Sequence, residues 1–205
     1  LFLIMDYSLI IDYRESQLKQ HFESIDFSKD KNLKKVNLKI ENLDLGDIII
    51  KKNEEIILII ERKTLQDLYS SINDGRYKEQ KVRLKSNFKD YQIVYIIEDS
   101  NTKFINKKFN NVQSIIDGAI INSIFRDNIK LLRTKSVDET ITYIKTLLKK
   151  IINNLEFFVK PEHINQTSND SNIKTSNDPN IKIVEIKSKE KEVNYVDNIK
   201  IKKKE

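Results

Sequence analysis

The sequence predicts an α/β domain in which helices flank a central mixed β-sheet. Short runs of branched apolar residues alternate along the chain with longer stretches whose apolar residues recur at helical spacing. Two of the branched runs, both rich in isoleucine, flank a short polar break at residues 53–55, which indicates a β-hairpin. Strands that alternate with helices are typical of α/β domains built on one sheet.

The first third of the chain contains four predicted strands. Residues 8–13 form the first strand, and a helical stretch follows it to about residue 22. Residues 36–40 alternate apolar and polar side chains, which predicts a half-buried strand. The two hairpin strands around residues 53–55 are apolar on both faces, so we expect them at the centre of the sheet, covered on two sides.

Helix-start signals define several of the remaining elements. Thr64 and Asp67 have the spacing of a capping box, and a turn signal at residues 73–75 ends the short helix that follows. Ser136 and Glu139 form a second capping box. The other predicted elements are a helix over residues 76–88, a strand over 91–97, a helix over 112–125, a strand over 129–132 and a helix from 136 to about 154.

A change in composition marks the end of the predicted domain. The peptide at residues 168–174 recurs almost unchanged at 176–182, in sequence that is polar and of low complexity. Such sequence cannot bury enough apolar surface to fold. We therefore expect one folded domain at residues 6–155 and a disordered C-terminal tail at residues 156–205.

Composition excludes several classes of protein. The 205 residues include no cysteine and two histidines, so disulfides, thiolate metal sites and a histidine-based zinc site are not expected. Any bound metal must use oxygen ligands, which favours magnesium, manganese or calcium. A net charge of +6 suits a polyanionic partner. No apolar run approaches the roughly 20 residues of a membrane span, so we expect a soluble intracellular protein without membrane contact. With three glycines there is no Walker-type phosphate loop, and we expect no attached helicase and no small-molecule cofactor.

Two carboxylates and a lysine converge at one end of the predicted hairpin. With the turn centred near Glu54, the antiparallel register puts Asp47 directly opposite Glu61, with Cβ atoms roughly 5 Å apart. Side chains alternate along a strand, so Lys63 shares their face while Arg62 points to the other. A buried cluster of this kind is costly and is usually tolerated only where a cation binds or chemistry happens.

This arrangement is that of metal-dependent nucleases with a restriction-endonuclease-like core. Carboxylates such as Asp47 and Glu61 can hold Mg²⁺, which lowers the pKa of a bound water and neutralises charge on the phosphate. A nearby lysine such as Lys63 can orient that water or stabilise the transition state. The spacing also occurs by chance at solvated strand ends, and on these three residues alone that alternative stays open.

A longer string of residues resembles the nuclease domain of the XPF family, which comprises structure-specific DNA endonucleases and an archaeal relative called Hef. The hallmark of that family is Gly-Asp, then Glu-Arg-Lys-x-x-x-Asp, then a helix carrying Arg and Gln. The resemblance covers about residues 8–150 in the family's order. The matching pieces are Gly46-Asp47, Glu61-Arg62-Lys63 with Asp67-Leu68, Ser71-Ile72 with Asp74-Gly75-Arg76, Gln80, Asp12 with Arg14-Glu15, Tyr95 to Glu98, and Leu132-Arg133-Thr134 with Ser136, Glu139 and Thr140.

The resemblance implies an enzyme, dependent on Mg²⁺ or Mn²⁺, that cuts one strand of duplex DNA near a branch, flap or fork in DNA repair or recombination. It assigns Asp47 and Glu61 as metal ligands and Lys63 as the catalytic lysine. Two further residues, Asp12 and Arg62, match positions on which the family's activity depends. Because alternation points Arg62 away from the metal face, we expect it to act on the site indirectly.

Asp67 also matches a position on which the family's activity depends, and its alternative role is to cap the helix after Thr64. The predicted DNA contacts lie mainly on the next helix. Arg76, Gln80 and Arg83 fall on one of its faces, because positions three and four apart are neighbours. With Arg14, they are our predicted contacts with the DNA backbone. A polar helix face without a role in binding is the alternative.

Members of the family dimerise through the nuclease domain, so the resemblance implies a homodimer or a heterodimer, although the apolar side of residues 112–125 also suits a core position. Relatives usually continue into tandem helix-hairpin-helix motifs, and here the predicted tail stands in their place. Two alternatives therefore stay open: a non-enzymatic DNA-binding or scaffold subunit of a nuclease heterodimer, and a restriction-like nuclease without junction preference. We expect the protein to act in the nucleus or, if its source is a large DNA virus, at a site of viral DNA replication.

Overall fold

The computed structural model describes residues 7–99 and 111–159. Six strands in these ranges form one mixed sheet, which confirms the predicted α/β fold class. The strands are β1 (Tyr7–Asp12), β2 (Val36–Glu41), β3 (Ile48–Lys52), β4 (Glu55–Thr64), β5 (Ile93–Glu98) and β6 (Lys130–Thr134). Their order across the sheet is β2-β1-β3-β4-β5-β6, so the hairpin formed by β3 and β4 occupies the centre, as predicted.

Five α-helices of the described residues pack on this sheet, all at predicted positions. They are α1 (Ser16–Ser24), α2 (Leu65–Asn73), α3 (Arg76–Asn87), α4 (Val112–Ile121) and α5 (Val137–Asn153). Side-chain caps begin two of them, because the Thr64 hydroxyl accepts the Asp67 amide at 3.1 Å and the Ser136 hydroxyl accepts the Glu139 amide at 3.2 Å.

The predicted helix over residues 112–125 changes character part-way. It is α-helical to Ile121 and continues as a π-helical turn over Asn122–Arg126. The hydroxyl of Ser123 donates to the Ala119 carbonyl four residues earlier at 2.8 Å, and such back-bonding bends helices. Apolar spacing did not report this change, because Ile124 and Phe125 continue the apolar sequence past the α-helical part.

The register of β3 against β4 agrees with the predicted hairpin. β3 pairs antiparallel with both β1 and β4, whereas β4, β5 and β6 run parallel, as do β1 and β2. The pair Ile48–Ile60 fixes the open end of the hairpin, and Asn53 adopts a φ of +54° in its turn. A bulge between Ile50 and Lys51 shifts the register only at the turn end, so it does not alter the predicted pairing at the open end.

Apolar side chains fill both faces of the sheet. On one face Ile48 and Ile60 are fully buried in a core completed by α1 and α5. On the other face Ile49 and Ile59 lie in a second core completed by α2, α3 and α4. The hairpin strands are therefore covered on two sides, which explains their continuous apolar sequence.

The described residues continue for a short distance past α5. A single helical turn at Leu155–Phe157 follows α5. From residue 160 onward, the predicted disordered tail lies outside the described residues. No helix in residues 7–99 and 111–159 combines the length and the apolar character needed to cross a bilayer.

Candidate active site

The predicted carboxylate pair lies at the open end of the two central strands. Because Ile48 pairs with Ile60, the register places Asp47 opposite Glu61. The Asp47 amide donates to the Ile60 carbonyl at 2.8 Å, which extends the ladder one residue beyond β3. By alternation from Ile59, both carboxylates face the side of the sheet that carries α2, α3 and α4.

The backbone conformation of Gly46 positions Asp47 at the edge of β3. Its φ of +70° lies in the left-handed region, which favours glycine. A Cβ at this position would lie 2.6 Å from the Ile59 side chain, so the backbone here packs directly on β4. The Gly-Asp step of the motif therefore has a geometric basis, since a larger residue would push Asp47 away from Glu61.

Asp47 and Glu61 place like charges in a poorly solvated site. Burial, together with the negative charge of Glu61, raises the pKa of Asp47 from 3.8 to about 8. One contact opposes this shift, because the Arg62 amide donates to Asp47 Oδ2 at 2.7 Å. Without a cation, burial and the facing carboxylate therefore hold the pKa of Asp47 well above the usual range of an aspartate.

Lys63 joins the same cluster, as predicted from strand alternation. Its ammonium donates to Glu61 Oε1 at 3.1 Å and to the side-chain oxygen of Gln80 at 3.0 Å. The lysine side chain is 10% exposed, so this contact is made mostly out of water. Sequence spacing placed Gln80 among the DNA contacts and did not indicate that it reaches Lys63.

Arg62 points to the opposite face of β4, as alternation predicted. Its guanidinium donates to Glu98 Oε2 at 2.7 Å and to Glu15 Oε2 at 2.8 Å. Thr140 of α5 donates to the same Glu98 oxygen at 3.0 Å. Arg62 thus ties β4 to β5 and to the start of α1, while its own amide holds Asp47. This supports an indirect role for Arg62, which stays a prediction.

Asp12 holds the loops that border the site. Its buried carboxylate accepts the Arg14 amide at 2.8 Å, the Arg14 guanidinium at 2.7 Å and the Leu43 amide at 2.8 Å. The hydrogen bonds from Arg14 are the main reason that the pKa of Asp12 falls to about 2. The Asp12 amide donates to the Asp47 carbonyl at 2.8 Å, so Asp12 orders the backbone next to the carboxylate pair.

The other predicted site residues lie at the surface. Asp67 is exposed, and its backbone and side chain are both bonded to Thr64. Arg76 pairs with exposed Asp74 at 2.7 Å, and Arg83 donates to the Asp44 carbonyl at 3.2 Å. The structure therefore brings Gln80 into the carboxylate cluster and leaves Asp67, Arg76 and Arg83 outside it. Their predicted roles stay predictions.

Comparison with known families shows which family the chain belongs to. Residues 11–147 match the family model described as the ERCC4 domain. The chain belongs to the ERCC4-domain family. This match contains the carboxylate pair and every predicted site residue, and it confirms the resemblance to the XPF family that the motifs indicated.

Relatives of this ERCC4 domain are known in yeast and in a virus. The chain is 38% identical over 152 residues to the crossover junction endonuclease MUS81 of Debaryomyces hansenii, a match covering 70% of this chain and 22% of that protein. It is 34% identical over 138 residues to the ERCC4 domain-containing protein EP364R of African swine fever virus, covering 63% of this chain and 38% of that protein. The chain thus spans a minor part of each.

A solved structure shares the fold. XPF from Aeropyrum pernix, in complex with DNA, superposes with a TM-score of 0.52 and 22% identity, over 69% of this chain and 63% of that one. At this identity the likeness concerns the fold, and it agrees with the mixed sheet and flanking helices described above.

The donor set of this ERCC4 domain fits a hard divalent cation. Asp47 and Glu61 offer facing carboxylates, the ligands that Mg²⁺ and Mn²⁺ prefer. Among the described residues, no group of three or more His, Cys, Asp or Glu side chains lies close enough together to hold a metal ion. A pair of carboxylates is still sufficient protein ligation for Mg²⁺, which usually keeps water and substrate phosphate as its remaining ligands.

Tyr95 belongs to a matching piece of the family resemblance that assigned it no role, and the structure places it beside the carboxylate pair. It pairs with Glu61 in the register of β4 and β5, and it is buried on the same face of the sheet. Its hydroxyl has no hydrogen-bond partner among the described residues. Burial, followed by the charge of Glu61, raises its pKa, so the hydroxyl stays protonated and is an available donor beside the carboxylates.

Proposed function

We propose that this ERCC4 domain is a Mg²⁺- or Mn²⁺-dependent endonuclease that hydrolyses phosphodiester bonds in one strand of branched, flapped or forked duplex DNA. One observation carries the proposal: Asp47, Glu61 and Lys63 converge at the open end of the central hairpin, out of contact with most of the solvent. Clusters with such opposed charges and a raised carboxyl pKa are typical of catalytic sites.

The proposed mechanism divides the work between metal and protein. A cation bound by Asp47 and Glu61 would lower the pKa of a bound water and neutralise charge on the phosphate. The protein's part is to hold both carboxylates in place, through the Arg62 amide for Asp47 and through Lys63 for Glu61. Lys63 also supplies a positive charge, which stabilises the negative charge that develops on the phosphate in the transition state.

The choice of substrate is supported by the relatives. MUS81 of D. hansenii is named a crossover junction endonuclease, and XPF of A. pernix has been solved in complex with DNA. The net charge of +6 agrees with a polyanionic substrate. We assign Arg14, Arg76 and Arg83 to the DNA backbone, because each guanidinium lies at an exposed position. A role in DNA repair or recombination, in the nucleus or at a site of viral DNA replication, follows from this substrate.

Pairing with a second ERCC4 domain is supported by apolar surface on the π-helical turn after α4. Ile124 and Phe125 on this turn and Ile121 at the end of α4 are all exposed, and Phe125 is 82% exposed. Exposed apolar side chains clustered in this way mark protein interfaces. Light scattering at micromolar concentration should give a dimeric mass for the wild type and a smaller mass for Phe125→Ser. The control Phe157→Ser alters a similarly exposed phenylalanine elsewhere and should stay dimeric; a monomeric wild type would contradict homodimerisation.

Cleavage of a panel of labelled substrates tests the proposed function. The panel contains a fork, a flap and a linear duplex of one sequence, each with Mg²⁺, with Mn²⁺ and with EDTA. The proposal predicts nicking of the fork or flap in either metal and none in EDTA. Equal rates on all three substrates would favour a nuclease without junction preference. A protein that dimerises with a nuclease partner but cuts none of the substrates by itself would favour a scaffold subunit.

A further inference from the structure

Lys63 is held by two acceptors of different kinds. Its ammonium lies 3.1 Å from Glu61 Oε1 and 3.0 Å from the side-chain oxygen of Gln80. Glu61 is charged and belongs to the proposed metal site, whereas Gln80 is a neutral amide on α3. A cation bound to Glu61 would compete with Lys63 for the negative charge of that carboxylate. It would leave the amide oxygen of Gln80 available to accept the hydrogen bond from Lys63.

A buried polar cluster fixes α3 next to Gln80. The ammonium of Lys81 donates to Asp127 Oδ2 at 2.7 Å and to the Ser123 hydroxyl at 3.0 Å. It also lies 4.3 Å from the centre of the Tyr77 ring. Lys81 and Asp127 are both buried, and their contact joins α3 to the turn after α4. Rotation of α3 about its axis would break this contact, so the cluster keeps Gln80 directed at Lys63.

Gln80 differs from the arginines on the same helix. Arg76 and Arg83 are exposed, whereas Gln80 is half-buried and its side-chain oxygen is engaged by Lys63. Contacts with the DNA backbone need donors at the surface. The amide of Gln80 therefore suits an internal role better than the role in DNA binding that helix spacing predicted for it.

We propose that Gln80 is a positioning residue for Lys63 and does not contact the DNA backbone. The inference rests on the proposed function, in which Glu61 binds a cation. In that state Gln80 retains the Lys63 ammonium beside the carboxylate pair. A neutral amide suits this task, because it accepts a hydrogen bond from the lysine without adding a third negative charge that would compete for the cation.

Two substitutions at position 80 distinguish the effect of the hydrogen bond to Lys63 from the effect of side-chain size. Gln80→Met keeps a similar length and removes the acceptor, so Lys63 should be released. Gln80→Glu keeps an acceptor, so Lys63 should stay in place. Glu79→Met is the matched control, because it introduces the same methionine side chain at the preceding, exposed position of α3.

The first readout needs no catalysis. Mass spectrometry measures how fast an amine-acylating reagent modifies Lys63 in the metal-free protein. Acylation should be faster in Gln80→Met than in the wild type, no faster than the wild type in Gln80→Glu, and at the wild-type rate in Glu79→Met. An unchanged rate in Gln80→Met would overturn the proposal.

The second readout divides binding from turnover. For a forked duplex with Mg²⁺, Gln80→Met should lower kcat by about 10- to 100-fold, the loss expected for a misplaced catalytic group. The KM, and the affinity for the fork measured by fluorescence anisotropy with Ca²⁺, should stay at wild-type values. Weaker DNA binding with unchanged kcat would assign Gln80 to the DNA and overturn the proposal. If the wild type cuts no substrate, the proposed function fails, while Lys63 acylation still decides whether Gln80 holds the lysine.

Discussion

Buried charged residues are paired differently on the two faces of β4. On one face, Arg62 lies between Glu98 and Glu15 and satisfies both carboxylates. On the other face, Glu61 is one residue away along the strand and lies opposite a second carboxylate, Asp47, whose pKa is raised to about 8. Neighbouring residues of one strand thus form a clamp, in which one guanidinium bonds two carboxylates, and a site in which Lys63 bonds Glu61 while the pKa of Asp47 stays raised. This difference is the basis for proposing that the face with Asp47 and Glu61 carries the chemistry.

The largest effect on stability should come from breaking the clamp. Arg62→Gln leaves Glu98, which is 1% exposed, without its cation. Breaking a buried pair in this way costs about 3–5 kcal/mol of unfolding free energy. Urea unfolding at pH 7 measures the loss. Arg133→Gln removes an exposed ion pair with Asp99 and should cost less than about 1 kcal/mol. Equal losses in the two variants would contradict the assignment of Arg62 to a buried clamp.

The face with Asp47 and Glu61 should respond in the opposite direction. The pKa of Asp47 is higher in the folded than in the unfolded protein, so its contribution to stability is full below pH 4 and is lost as pH rises towards 8. Asp47→Asn removes this dependence and should raise the unfolding free energy of the metal-free protein at pH 8 by about 1–2 kcal/mol. Urea unfolding between pH 5 and 9 measures the two curves; a destabilised variant at pH 8 would show that Asp47 is satisfied in the folded state.

The smallest effect concerns the hydroxyl of Tyr95, which has no partner among the described residues. Tyr95→Phe should leave stability unchanged or raise it slightly, because no hydrogen bond is lost. Tyr77→Phe is the contrast, since the Tyr77 hydroxyl is bonded to Ser123 and its loss should cost about 1 kcal/mol. Thermal unfolding of both variants without metal provides the comparison. A larger loss in Tyr95→Phe would mean that its hydroxyl is bonded in the folded protein.

Local sequence rules predicted the face with Asp47 and Glu61 well. Alternation with a period of two and a turn near Glu54 are sufficient to place Asp47, Glu61 and Lys63 on one face, and the observed register agrees. The bulge at Ile50 and Lys51 lies between this cluster and the turn. It does not displace the cluster, because β3 stays paired with β1 and β4 on the side of the bulge where the cluster lies.

The same rules could not predict the clamp or the role of Gln80. Strand alternation showed that Arg62 points away from the carboxylates, but its partners Glu15 and Glu98 lie 47 and 36 residues away along the chain. Likewise, helix spacing put Gln80 on a face with two arginines, whereas its contact with Lys63 depends on how α3 docks against the sheet. Contacts between distant elements depend on packing angles, which residue spacing does not encode.

Cleavage of a labelled fork by the wild type and by Asp47→Asn is the most direct test of the central claim, that Asp47 and Glu61 form a metal-dependent nuclease centre. Asp44→Asn serves as the control, because it makes the same change at an exposed position before the site. With Mg²⁺, the wild type and the control should nick the fork, and Asp47→Asn should be slower by about 10³-fold or more. Cleavage that persists at the wild-type rate in Asp47→Asn, or in the wild type with EDTA, would contradict the claim.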